Sequence, residues 1–261
     1  MTEKYPPVSR AKAQVIATLS QKKMRRKHCL FVVEGHKSVV DTLGKFNLFM
    51  LVATPEWLES EGHNLISELR IERSMVFSAT QREIDSMSSL STPSEVMAVY
   101  RLPESPDGSD MMRLDPGLYL LLDGIQDPGN LGTIIRTAHW FGINRIYASR
   151  ATADIFNPKT IQSTMGSLAE VEVVYTDLPA LVDANPDFSL VGLLLEGEDI
   201  FSTPLPQSAF IAMGNEGNGL TPEMRERVNK PLTIPPANAA NHPDSLNVAI
   251  ATAITLAQFK K

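Results

Sequence analysis

The hydrophobic pattern between Leu118 and Gly142 predicts a strand, a turn and a helix. Leu118 to Leu122 is a short unbroken apolar run, as in a strand covered on both faces. Gly124 and the triplet Asp127-Pro128-Gly129 then turn the chain, and Asn130 is placed as the N-cap of the next helix. Leu131, Ile134, Ile135 and Ala138 recur at helical spacing and face a sheet. Thr133, Arg136 and Trp140 fall on the opposite side. A strand end feeding a Gly-rich turn and a helix N-terminus is where open α/β sheets take ligands.

The same alternation continues downstream. Strands are predicted at 145–148, 171–174, 190–195, 210–213 and 232–234. Helices are predicted over 158–166 and 177–183, from Thr221, and after a Ser245 cap. This order implies an α/β domain with a mainly parallel sheet over 116–261. Upstream, strands at 29–33, 48–53, 75–77 and 96–100 alternate with short helices, one opened by the capping box Thr80 to Glu83. They outline a smaller α/β domain at 28–101, preceded by a basic arm and helix at 1–27. Residues 102–115, rich in Pro, Gly, Ser and Asp, are expected to form an exposed linker.

A net charge of −6 argues mildly against nucleic-acid binding, because phosphate neutralisation needs clustered cations. Placement changes that picture. Lys22, Lys23, Arg25, Arg26 and Lys27 form a dense basic run, read as either an RNA contact or a solvated face. Cys29 is the sole cysteine, so neither an intrachain disulfide nor a thiolate metal cluster is expected. No metal is expected, since no His/Cys/carboxylate cluster shows ligand spacing. The N-terminus lacks the apolar core of a signal peptide, and no apolar run is long enough to span a membrane.

Two further stretches bear on chemistry. Gly214-Asn215-Glu216-Gly217-Asn218-Gly219 follows a buried strand and lets backbone approach a ligand closely. It is neither the dinucleotide fingerprint nor a P-loop, since its glycines are misplaced for one and no Lys follows for the other. The third stretch starts at Ile234-Pro235 and resumes at Ser245-Leu246-Asn247-Val248. The intervening loop is long and carries His242.

Together these three stretches resemble the three motifs of the SpoU (TrmH-like) RNA ribose 2′-O-methyltransferases, of the SPOUT superfamily, over about the last 145 residues. FVVEGHKSVVDTL and the stretches 88–92 and 96–99 resemble the N-terminal substrate-binding domain of many SpoU enzymes. The resemblance implies a trefoil-knot catalytic domain that uses S-adenosylmethionine. It assigns Asn130, Arg136, Glu216, Ser245 and Asn247 to the reacting centre. It assigns Leu194, Gly214, Asn215, Gly219, Ile234 and Leu246 to the cofactor. Arg136 and the basic run would meet RNA, with ribosomal RNA favoured over transfer RNA. The implied reaction is attack by a ribose 2′-hydroxyl on the sulfonium methyl, which needs positioning and help with a proton. A cytoplasmic location is expected. The last helix, apolar on nearly every side, implies a homodimer through the catalytic domain. The rival readings are an RNA-binding ribosome-assembly factor without activity, a tRNA 2′-O-methyltransferase, and a general nucleotide-binding α/β protein.

Overall fold

The structure is a computed structural model describing residues 5–103, 113–238 and 241–261. Contacts divide it into two compact units. The first comprises the described residues up to 103 together with Phe156–Ala169, and the second comprises the remainder. The expected linker at 102–115 lies mostly outside the described residues.

In the first unit, α1 (Arg10–Thr18) and α2 (Lys22–His28) lead into β1 (Leu30–Glu34) and α3 (His36–Thr42). They are followed by β2 (Leu48–Ala53), α4 (Pro55–Glu59), α5 (Glu61–Glu68), β3 (Val76–Ser78), α6 (Gln81–Met87) and β4 (Val96–Arg101). The sheet order is β1-β4-β2-β3, with β4 antiparallel to both neighbours. Alternate strand residues such as Leu30, Met50, Val52, Met97 and Val99 pack under Ile16, Leu19 and Ile84. The capping box forms as expected, Thr80 and Glu83 each bonding the other's backbone N–H. Pro55 opens α4 behind a Thr54 cap.

In the second unit, β5 (Leu118–Asp123) and α7 (Pro128–Trp140) form the strand-turn-helix expected from the sequence. β6 (Arg145–Ala148) follows, then α8 (Pro158–Thr164), which groups with the first unit. Phe156, ahead of α8, lies 4.5 Å from Phe31 between ring centroids, inside an aromatic cluster with Phe46 and Tyr100. By its contacts this segment groups with the first unit, whereas the sequence pattern places it within 116–261. The chain continues with β7 (Glu172–Tyr175), α9 (Leu178–Asp183), β8 (Ser189–Asp199), β9 (Ala209–Gly214), α10 (Pro222–Arg227), β10 (Lys230–Thr233) and α11 (Val248–Phe259). All six strands are parallel, in the order β10-β8-β9-β5-β6-β7. β8 runs past the expected 190–195, because Glu198 and Asp199 pair with Leu232 and Thr233. α11 packs against α7 and β9. The carboxyl ends of the central strands β5 and β9 therefore lie beside the N-terminal ends of α7 and α11.

Candidate active site

Motif one is built on the β5 end and α7. Asp127, not Asn130, caps this helix: its Oδ1 accepts the Asn130 N–H at 2.9 Å. Pro128 takes the first helical position, where its missing N–H costs nothing. That preference for Pro at the first position identifies Asp127 as the cap and corrects the sequence expectation. Asn130 thus sits one turn inside, with its side-chain amide available for other partners.

Motif two closes on itself directly after β9. Asn215 and Gly219 exchange backbone hydrogen bonds at 2.9 and 2.8 Å. Asn215 Oδ1 accepts the N–H groups of Gly217 (2.9 Å) and Asn218 (3.1 Å), and its Nδ2 donates to Gly124 O at 2.9 Å. The Asn215 side chain, assigned to the cofactor by resemblance, is therefore committed to shaping this loop and tying it to the motif-one turn. A second tie comes from Asp123, 4% exposed, whose Oδ2 accepts the Thr221 N–H at 2.7 Å. Gly214 has no room for a side chain: a Cβ there would lie 2.3 Å from the Gly219 carbonyl carbon. Gly214→Ala must displace backbone. The expected result is a loss of about 1–3 kcal/mol in stability, read by thermal melting, together with impaired ligand binding at this loop.

Motif three joins the other two. Glu216 Oε1 accepts from Asn130 Nδ2 at 2.7 Å, and Asn130 Oδ1 accepts from Asn247 Nδ2 at 2.9 Å. Asn247 Oδ1 in turn accepts the N–H groups of Ala249 (2.9 Å) and Ile250 (3.3 Å), so Asn247 caps α11. Ser245, expected as that cap, lies two residues earlier and is exposed. Three side chains distant in sequence thus form one continuous polar chain, and its bonding fixes which way each amide points. Arg136 lies six residues beyond Asn130, about 9 Å further along the helix axis. It is exposed and makes no hydrogen bond or ion pair with any described residue. Its cation is available to an anionic ligand.

Of the other residues assigned to the cofactor, Leu194 packs partly buried against the cluster around Leu121 and Phe210, and Ile234 packs against Val191 and Leu232. Leu246, next to the Asn247 cap, is 49% exposed. Gly219 has φ +70° and open space where a Cβ would be. Among the described residues no cluster of three or more His, Cys, Asp or Glu could hold a metal ion.

The basic run belongs to the first unit, where it forms α2. Lys22, Lys23, Arg26 and Lys27 are exposed. Arg25 is not an exposed RNA contact as the sequence suggested. It is 2% exposed, and its Nη1 donates to the carbonyls of Leu19 (3.0 Å) and Ser20 (2.8 Å). The run of charges along the chain cannot separate one cation facing the protein from four facing water.

Comparison with known proteins assigns a family to each of the two parts of the sequence, with 156–169 inside the match to the later part. Residues 117–257 match the SpoU rRNA Methylase family, and residues 11–98 match the MRM3-like substrate binding domain. The chain is 32% identical over 249 residues to the 23S rRNA (guanosine(2553)-2′-O)-methyltransferase RlmP of Bacillus subtilis (strain 168), covering 90% of each chain. Among solved structures, it is similar to a putative RNA methyltransferase of the TrmH family from Porphyromonas gingivalis. That match has 34% identity and a TM-score of 0.80, covering 97% of this chain and 98% of the other. An AdoMet-bound rRNA methyltransferase from Sinorhizobium meliloti matches at 28% identity and a TM-score of 0.82, covering 98% and 96%.

Proposed function

Because the chain belongs to the SpoU rRNA methylase family, we propose that it transfers the methyl group of S-adenosylmethionine to a ribose 2′-hydroxyl of ribosomal RNA. The observation that carries this reading is the polar chain Glu216–Asn130–Asn247, which joins the three family motifs at one place. Ribosomal RNA is favoured over transfer RNA by the relatives' names and by the substrate-binding domain. The assembly-factor reading requires a site that no longer binds cofactor. Titration calorimetry with S-adenosylmethionine separates the two: saturable one-to-one binding is expected, and no heat at millimolar ligand favours the assembly factor.

S-adenosylmethionine, when bound, supplies a methyl group already activated on a sulfonium. The chain's residues then have two tasks: to hold the ribose in line and to ease loss of the 2′-hydroxyl proton. The Arg136 guanidinium is exposed and has no partner among the described residues, which suits contact with the target phosphate and with charge developing on the 2′ oxygen. Asn130 and Glu216 hold the motif loops in register, Asn247 anchors α11 to them, and Ser245, two residues before Asn247, offers an exposed hydroxyl. Gly214, Gly219, Ile234, Leu246 and Leu194 would hold the adenosyl group. Lys22, Lys23, Arg26 and Lys27 would meet RNA phosphates.

The chain leaves edge strand β10 and returns as α11, which packs against α7 and β9, and this return supports the trefoil knot that the family resemblance implies. A cytoplasmic location fits an rRNA substrate. No helix among the described residues is long and apolar enough to cross a membrane. A homodimer through the second unit is supported by two exposed apolar side chains on the packed pair α7 and α11, Trp140 at 85% and Ile250 at 52%. Large apolar side chains left facing water on one packed helix pair suit a self-complementary interface. Sedimentation at low micromolar concentration is expected to show a dimer, and Ile250→Asp is expected to shift it to monomer. A native monomer with full activity contradicts the assignment.

A further inference from the structure

The cations of α2 divide by face. At 3.6 residues per turn, Lys22, Arg26, Lys23 and Lys27 occupy an arc of about 140°. Met24 and His28, both partly buried, lie on the other side with the buried Arg25. None of the four exposed cations is paired with a described acidic group, in a chain whose net charge is −6. Four unpaired cations on one face, at the spacing of adjacent turns, suit successive phosphates of a nucleic-acid backbone.

One buried side chain braces the turn that sets the direction of that face. α1 ends at Thr18 with Leu19 as its C-cap, and Gln21 opens α2 without a side-chain cap bond. The elbow between them is held on the inside by Arg25, whose guanidinium takes the Leu19 and Ser20 carbonyls at the C-terminal end of α1. These carbonyls carry the negative end of the helix dipole and have no intrahelical partner, so a buried cation there satisfies both. The planar fork of arginine suits two carbonyls offered side by side.

We infer that Arg25 is the positioning residue of an RNA-docking helix: it touches no RNA, and it aims Lys22, Lys23, Arg26 and Lys27 at the phosphate backbone. The inference rests on the rRNA methyltransferase reading above. It divides the basic run into one residue that sets the angle and four that bind.

The test is a double-mutant cycle on RNA binding by the full-length protein, with deproteinised bacterial ribosomal RNA as probe over a salt series. Replacing Lys22, Lys23, Arg26 and Lys27 together by Ala is expected to weaken binding at least tenfold. It should flatten the log–log salt slope by about 0.7–0.9 for each phosphate that is no longer neutralised. Arg25→Met in the native background is expected to weaken binding several-fold and to flatten the slope by more than a single phosphate accounts for. In the fourfold Ala background the same change is expected to do nothing further, since nothing remains to aim. An undiminished effect of Arg25→Met in that background overturns the inference. Buried Trp57 in the first unit reports by its fluorescence whether the variant is folded. Should Arg25→Met unfold the unit, Arg25→Lys carries the test, because it keeps the charge and loses the fork. Weakened binding is then expected, and native binding overturns the clamp. S-adenosylmethionine binding and methyl transfer by the native protein are measured in the same preparation. If transfer occurs while the fourfold variant binds RNA as the native does, this inference alone falls. If native protein neither binds the cofactor nor transfers methyl, the family-based function falls instead.

Discussion

Arg136→Ala is expected to lower methyl transfer by about a hundredfold or more while leaving S-adenosylmethionine affinity within a few-fold of native. The side chain is exposed and unpaired among the described residues, so its removal creates no cavity and strands no described partner. The stability of the fold should therefore barely change. What disappears is a cation placed to meet negative charge that grows as the 2′-hydroxyl loses its proton. Removing one such donor costs on the order of 3 kcal/mol in the transition state. Arg136→Lys is expected to recover little, because a lysine retains charge but not the fixed fork of donors. Single-turnover rates at saturating cofactor give the comparison, and native turnover in Arg136→Ala removes this residue from the reacting centre.

Asn130→Ala is expected to slow transfer by about 10–100-fold through a different route. Its amide is donor to Glu216 and acceptor for Asn247 at once. Truncation leaves the Glu216 carboxylate and the Asn247 amide to water and unties the three motifs, so the loss falls on the geometry of the site rather than on the fold. Asn130→Asp is the sharper test. It keeps the shape and the acceptor for Asn247, but sets a second carboxylate against Glu216, and like charges at contact distance repel. Asn130→Asp should therefore be slower than Asn130→Ala. Adding Glu216→Gln restores a donor across the gap, so the double variant should recover part of the loss. Equal rates for Asn130→Ala and Asn130→Asp, with no recovery by Glu216→Gln, mean that the polar chain does not control the site.

The elements of both units are legible in the sequence wherever local chemistry decides. The Thr80–Glu83 capping box, Pro55 behind Thr54, and the β5–turn–α7 unit all follow from residues within one turn of each other. Two caps differ from expectation because Asp127 and Asn130, like Ser245 and Asn247, are equally good cap residues a few positions apart; Pro128 at the first helical position settles the first pair, and only backbone conformation settles the second. The meeting of Asn130, Glu216 and Asn247 could not come from periodicity, since it depends on parallel strand order. Only the resemblance of three separated motifs pointed to it. The buried Arg25 and the placement of Phe156–Ala169 with the first unit were likewise invisible, since both depend on which surface a helix or loop turns inward.

The destination of the methyl group tests the proposed function most directly. Native protein is incubated with methyl-labelled S-adenosylmethionine and unmodified ribosomal RNA, and the product is hydrolysed in alkali. A 2′-O-methyl group blocks cleavage at its own phosphodiester. The account predicts that the label is recovered in an alkali-resistant dinucleotide from one position, and that Arg136→Ala lowers its rate of appearance by about a hundredfold or more. Label recovered on a base in an ordinary mononucleotide, or no transfer by a protein that binds the RNA, contradicts it.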